Sequence, residues 1–146
     1  MATQINDPLI DFSLPIRPHT FGRDYEFPED VTRLSSSQIG AWMSRLAAYR
    51  GYVLSLLGRS DFRRKCLEAE RKVRFIEKCR ELDNGIRKTQ TAIKEEASLD
   101  ESIKNLDAKI SASERSCGFY RTLSDIYQLQ IDVLSREITR RQNLNE

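Results

Sequence analysis

The side chains that most often carry catalysis are few in this 146-residue sequence, and they are poorly placed for it. The single histidine, His19, lies in a proline-bearing stretch, where a lone imidazole is most often a solvated loop residue. Adjacent carboxylates such as Glu95 and Glu96 point to different sides of a helix and do not converge on a metal ion. The six glycines are scattered singly and form no phosphate-binding loop. We therefore expect a non-enzyme with no catalytic residue, no metal site and no cofactor.

Cysteine usage and hydropathy bear on the compartment. The three cysteines, Cys66, Cys79 and Cys117, leave one unpaired in any disulfide scheme, and their spacing matches no metal-binding signature. No stretch approaches the roughly 20 apolar residues that span a bilayer, and the N-terminus lacks a basic segment followed by an apolar one. We expect a cytoplasmic protein with no membrane partner.

Basic side chains are concentrated in the middle of the chain. The net charge is only +2, yet residues 35–90 carry 13 basic and 6 acidic side chains, while residues 1–34 and 91–146 are both net acidic. A small net charge argues against a generally cationic coat for nucleic acid, so any basic binding surface must be local.

Prolines divide the chain into two parts. All four lie in the first 28 residues, and proline both fixes φ and removes a hydrogen-bond donor. This predicts an extended, acidic, proline-containing arm over residues 1–34 and a helical hairpin over residues 35–146. The arm is rich in apolar side chains. We favour its packing against the chain's own helices over the alternative of a detachable peptide that a partner protein recognises.

The first predicted helix begins at a capping box formed by Ser35 and Gln38. Apolar residues then recur at helical spacing as far as Leu57. Gly58 and Asp61 predict a kink or a short break, after which the apolar stripe resumes until an Asn-Gly stop at residues 84 and 85. The members of the first stretch are Ile39, Trp42, Met43, Leu46, Tyr49, Val53, Leu56 and Leu57.

The second long helix follows a polar connection over residues 86–97 and a capping box at Ser98 and Glu101. A heptad seam from Ile103 to Ile138 predicts that it pairs with the first helix, antiparallel to it in a helical hairpin, and with copies of itself. Its C-terminal third is apolar on more than one side, which favours a coiled-coil-like homo-oligomer, with a ring as the expected geometry, over a simple hairpin with a wider core. The predicted oligomerisation residues are Tyr120, Leu123, Tyr127, Ile131, Leu134 and Ile138.

A basic stripe occurs in the second half of the first helix. At about 100° per residue its cations share one side, and we expect this side to face away from an apolar side that includes Val73 and Ile76. An aromatic ring among cations suits single-stranded nucleic acid, because phosphates bind the charges and a base stacks on the ring. Ordinary surface ion pairs, and burial of the ring against another subunit, are the alternatives. The candidate nucleic-acid-binding residues are Arg64, Arg71, Lys72, Arg74, Phe75 and Lys78.

This order of features resembles the recombination-mediator proteins of T-even-type bacteriophages over residues 33–146. A leading helix with Trp42, Leu46, Tyr49 and Leu57 is followed by Lys72-Val73-Arg74-Phe75, which is similar to the basic element through which that family contacts DNA. The Leu- and Tyr-rich residues 116–141 are similar to its ring-forming helix. The resemblance implies that Lys72 and Arg74 contact DNA. It also implies that a recombinase and a single-strand-binding protein are partners.

The sequence therefore predicts a non-catalytic homo-oligomer that binds single-stranded DNA and helps to load a recombinase. Two alternatives stay open. In the first, the protein is a coiled-coil structural or assembly protein, such as a phage morphogenesis or scaffolding factor. In the second, it is a helical adaptor whose arm captures another protein.

Overall fold

The computed structural model describes residues 15–23, 25–83, 85 and 88–145. Over these residues the chain is all-helical, with a 3-10 turn at Val31–Arg33 followed by α1 (Ser36–Leu82), α2 (Gln90–Ser98) and α3 (Glu101–Leu144). The predicted all-α class with two long helices is confirmed, with a short third helix between them. Residues 1–14 of the predicted arm lie outside the described residues.

Contacts divide the chain into two compact units. The terminal unit combines residues 15–57 with residues 118–145, and the middle unit contains residues 58–117. α1 and α3 each contribute a segment to both units, and α2 belongs to the middle unit. In the described residues, no helix is both long enough and apolar enough to cross a membrane.

Residues close in the sequence determine where α1 begins and ends. The Ser35 hydroxyl accepts a hydrogen bond from the Gln38 amide at 3.1 Å, and the Gln38 side-chain oxygen accepts one from the Ser35 amide at 2.8 Å, which confirms the capping box. The predicted break at Gly58 is wrong, because α1 is continuous and Asp61 binds Arg64 at 2.7 Å instead of capping a new helix. The helix ends at Leu82, and Gly85 adopts φ +76°, as the predicted stop requires.

The connection between the long helices contains α2, which the sequence analysis treated as polar linker. The Thr89 hydroxyl caps α2 by accepting from the Ala92 amide at 3.2 Å. Ser98 is the last residue of α2 and not the cap of α3. Instead the Asp100 carboxylate accepts from the Ser102 amide at 3.0 Å, because a charged oxygen next to the first turn competes well for that donor.

The core of the terminal unit lies between the two long helices. Tyr49 of α1 packs against Tyr127 of α3 with ring centroids 5.6 Å apart, and Arg141 near the end of α3 donates to the Leu34 carbonyl just before α1. The two helices are therefore antiparallel in this unit. The buried residues of the core are Ile39, Leu46, Tyr49, Val53, Tyr127 and Leu134.

The described part of the arm packs against this core. Phe21, Tyr25 and Phe27 lie against the buried cluster, and the Tyr25 hydroxyl donates to the side-chain oxygen of Gln130 at 2.9 Å. Burial raises the pKa of Tyr25. For residues 15–34, the interpretation that the arm docks on its own helices is confirmed.

A buried carboxylate organises the end of α3. Glu137 is only 4% exposed and accepts hydrogen bonds from Arg140 at 2.7 Å and Arg141 at 2.6 Å. These guanidinium groups lower the pKa of Glu137 to about 2. Arg141 also donates to the Thr32 carbonyl at 3.2 Å, so the cluster connects α3 to the segment before α1.

Replacing Glu137 with Gln is expected to reduce the loss of stability in acid. A carboxylate whose pKa is lowered by folding stabilises the folded state above its ordinary pKa, and this contribution is lost as the pH falls from about 4.5 towards 2. Thermal melts of both proteins across that range measure the effect. The wild-type melting temperature should fall more steeply than that of Glu137→Gln. Parallel curves of melting temperature against pH would show that protonation of Glu137 does not cause the loss of stability in acid.

Candidate nucleic-acid interface

In the middle unit, two cations of the predicted basic stripe, Arg71 and Lys78, face α3. Arg71 forms an ion pair with Asp107, and Lys78 binds Asp100 with the Nζ and Oδ2 atoms 3.3 Å apart. These contacts run antiparallel, since the later residue of α1 meets the earlier residue of α3. The expectation that the stripe points away from the core is therefore wrong. Carboxylates on the facing helix neutralise cations at an interface that is only partly apolar.

The apolar side of the same segment is exposed. Val73 is 56% exposed and Ile76 is 43% exposed, and Ala69 also lies on the surface. Periodicity located both sides of the helix correctly but assigned them to the wrong environments, because hydrophobicity alone chose the apolar side as the core.

Two further cations of the stripe are held within α1. Arg64 lies between Asp61 at 2.7 Å and Glu68 at 2.9 Å, and its guanidinium lowers the pKa of Asp61. Arg74 contacts Glu70 at 3.1 Å and stays half-exposed. Lys72 is exposed and forms no ion pair with any described residue. Exposed ion pairs within one helix stabilise it by only a few tenths of a kcal/mol each. A phosphate group can therefore displace the carboxylate from such a pair at little cost.

Phe75 is partly buried and already engaged within the middle unit. The Arg71 guanidinium lies over its ring, 5.5 Å from the centroid. The ring also lines a groove of about 280 Å³ with Cys79 of α1 and Ile93 of α2. Phe75 is therefore less available for base stacking than its position in the basic stripe predicts.

A second, more polar groove combines cations from both long helices. It has a volume of about 180 Å³, and Arg63 of α1 and Lys109 of α3 lie on its walls. Both side chains belong to exposed residues, and neither forms an ion pair within the described part of the chain. The rest of the lining consists of Ala112 and three serines, Ser60, Ser113 and Ser116, of which Ser116 donates its hydroxyl to the Ala112 carbonyl at 3.1 Å. Hydroxyl donors beside unpaired cations are the groups that bind phosphate oxygens in protein–DNA contacts.

Sequence reasoning missed this groove because its members come from two helices. Arg63 and Lys109 are 46 positions apart in the sequence, and neither belongs to a periodic basic stripe. The available signal was the predicted antiparallel pairing, which places the segment near residue 60 opposite the segment near residue 115. Antiparallel pairing without an axial alignment does not predict which side chains meet.

The predicted oligomerisation residues pack within the terminal unit. Leu134 is fully buried and Tyr127 is 7% exposed, while the other four pack against the same cluster: Tyr120, Leu123, Ile131 and Ile138. Their apolar surface is therefore occupied within one chain. α3 exposes different apolar residues in this unit, including Phe119 at 60% and Leu129 at 65%.

The cysteine thiols are free, and Cys117 is buried. Among the described residues, no group of His, Cys, Asp and Glu side chains is arranged to hold a metal ion. Comparison of the chain with protein-family models, curated proteins and solved structures finds no match.

Proposed function

We propose that this protein is a non-catalytic mediator that binds single-stranded DNA and helps to load a recombinase onto it. The observation that supports the proposal best is the polar groove of the middle unit. Its two unpaired cations and the hydroxyl groups of Ser60 and Ser113 suit the phosphate backbone of a nucleic acid. The wider unit also favours an anion, because residues 58–117 contain 15 basic and 12 acidic side chains.

The groove changes which residues carry the proposed DNA contact. Arg63 and Lys109 bind phosphate directly, without first giving up an ion pair seen in the structure. Arg74 joins them by exchanging its exposed contact with Glu70 for a phosphate. Arg71 and Lys78 hold α1 against α3. They contribute to DNA binding only through the electrostatic potential of the middle unit.

Loading then proceeds by binding alone, with no bond made or broken. A single groove binds a strand weakly, and a homo-oligomer repeats the groove so that several weak contacts act together on one strand. Gathering the strand in this way weakens its hold on a single-strand-binding protein and leaves it available to the recombinase. These two protein partners are part of the proposal through the resemblance to recombination mediators.

The double substitution Arg63→Ala with Lys109→Ala is expected to weaken single-strand binding and to flatten its salt dependence. Each phosphate contact contributes a slope of about −0.7 to the plot of log affinity against log salt, so losing two should reduce the slope by about 1.4. Fluorescence anisotropy of a labelled oligothymidine between low and moderate salt measures this. The matched control is Arg59→Ala with Lys104→Ala, which removes two exposed cations that lie outside the groove.

Several outcomes would revise or remove the proposal. The double variant Lys72→Ala with Arg74→Ala could flatten the salt dependence while the groove variant leaves it unchanged. That result would move the DNA contact from the groove to the segment from Lys72 to Phe75. Equal binding of single and double strands would contradict a mediator of single-strand loading. No binding of the wild-type protein at low salt would remove DNA from its function.

The alternative of a structural or assembly protein is favoured by one specific observation. In the terminal unit, α3 exposes Phe119, Ile126, Leu129 and Val133, which are spaced by about one or two helical turns. An assembly protein would show a mass that rises with concentration and no affinity for DNA at low salt. Light scattering and the anisotropy titration together separate the two functions.

A further inference from the structure

The exposed apolar side of α1 in the middle unit has the spacing of a coiled-coil seam. Its residues are separated alternately by four and three positions, which is the pattern of heptad positions a and d. This side points away from α3, whose contacts are with Arg71 and Lys78 on the opposite side of the helix. Val73 and Ile76 are 56% and 43% exposed, although Ile76 also lines the groove beside α2, and Phe62 and Cys66 are partly buried. The seam, as we name it, consists of Phe62, Cys66, Ala69, Val73 and Ile76.

The charges that flank the seam differ between its two edges. With Cys66 and Val73 at position a, one edge (position g) carries Lys65 and Lys72, and the other edge (position e) carries Glu70 and Glu77. In a parallel coiled coil, each g residue faces the e residue five positions later on the partner helix. Both lysines are followed by a glutamate at this distance. The charges therefore match a second copy of the same segment in parallel alignment.

An antiparallel partner would not satisfy the same charges. In that arrangement g residues face g residues and e residues face e residues, so lysine would meet lysine and glutamate would meet glutamate. Lys72 and Glu77 also lack ion-pair partners among the described residues, so a second copy supplies what the single chain does not. A pair between Lys65 and Glu70 of the second copy would replace two exposed contacts within α1, that of Lys65 with Asp61 at 3.0 Å and that of Glu70 with Arg74 at 3.1 Å.

We propose that residues 62–76 form a parallel, in-register coiled coil with the same residues of a second copy of this chain. Identical seam residues then face each other across a two-fold axis, with Val73 on Val73 and Cys66 on Cys66. The small Ala69 allows the helices to approach closely. Arg63, at position e, would face Gly58, which has no side chain, and therefore stays free. The proposal does not depend on DNA binding.

Native cysteines test the alignment directly. Two Cys66 thiols at one a layer lie close enough to join when the protein is oxidised, whereas Cys79 lies at the g edge and far from its counterpart. Copper–phenanthroline oxidation of the full chain, followed by non-reducing electrophoresis, should give a covalent dimer. Cys79→Ser should leave its yield unchanged, and Cys66→Ser should lower it by about tenfold or more. No dimer from the wild type, or equal yields from Cys66→Ser and wild type, would overturn the proposal.

Charge reversal tests the orientation. In the parallel pair, Lys72→Glu places two glutamates opposite each other on both edges, and we expect the dissociation constant of the dimer to rise about tenfold. Combining it with Glu77→Lys should restore the wild-type value. Sedimentation equilibrium measures these constants, with Lys104→Glu as a control for the same change of charge outside the seam. Stronger association of Lys72→Glu would indicate an antiparallel pair and overturn the proposal, as would an unchanged constant.

Discussion

Replacing Leu134 with Ala is expected to lower the free energy of unfolding by about 3 kcal/mol. Leu134 is fully buried in the core of the terminal unit and belongs to the same buried cluster as Ile39 and Leu46. Removing its isobutyl group loses hydrophobic transfer energy and leaves a cavity that the surrounding side chains only partly fill. Urea denaturation followed by circular dichroism at 222 nm measures the loss.

Leu129→Ala is the matched control for this substitution. Leu129 lies on the same helix and loses the same atoms, but it is 65% exposed, so its free energy of unfolding should change by less than about 0.5 kcal/mol. The comparison also decides between two roles for Leu134. If Leu134→Ala lowers the mass of an assembly and leaves the stability of the chain unchanged, Leu134 belongs to an interface between subunits, as the heptad seam predicted.

Replacing Tyr49 with Ala is expected to cost about 3 to 5 kcal/mol and to release the arm. Tyr49 is 2% exposed, and its ring contacts Phe21 and Tyr25 of the arm as well as Tyr127 of α3, with centroids 5.6 to 5.9 Å apart. One side chain therefore holds three segments of the terminal unit together. Urea denaturation measures the stability, and brief trypsin digestion at Arg23 reports on the arm.

Tyr49→Phe separates the ring from its hydroxyl group. The hydroxyl shares a hydrogen bond with the Thr20 side chain, which is worth about 1 kcal/mol. The phenylalanine variant should therefore lose about that amount and keep the arm protected from trypsin. Equal cleavage of the arm in the wild type and in Tyr49→Ala would show that the contacts of Tyr49 do not hold it.

The local rules of helix formation predicted much of the fold. The capping box at Ser35 and the stop before Gly85 depend on neighbouring residues alone, and both are confirmed. The break at Gly58 failed because a single glycine costs about 1 kcal/mol, and the contacts on either side of it outweigh that cost. α2 was missed because only Ile93 and Ala97 are buried in its nine residues, too few to show a period.

The candidate site was harder to predict than the fold. Helical periodicity placed Arg71 and Lys78 on one side of α1, but it could not show that Asp107 and Asp100 lie opposite them. The polar groove depends on the axial alignment of α1 and α3, which no pattern within either helix determines. Pairing between helices is a tertiary property, and it reversed the expected roles of the two sides.

The two ion pairs between α1 and α3 share a spacing that permits a second alignment. Arg71 and Lys78 are seven residues apart, and so are Asp100 and Asp107. Seven residues make about two helical turns, so sliding α3 by that distance would bring Asp107 opposite Lys78 and Glu114 opposite Arg71. Both alignments would place a carboxylate opposite each of the two cations.

Side-chain size in the middle unit distinguishes the two alignments. Leu106 is 5% exposed in the observed alignment, and the slide would put Ser113, seven residues later, in its place. A buried leucine contributes hydrophobic energy that a serine does not. Ser113 thus makes the displaced alignment unfavourable as well as lining the groove. A leucine at position 113 would remove that penalty, and the other contacts of the two helices alone would then favour the observed alignment.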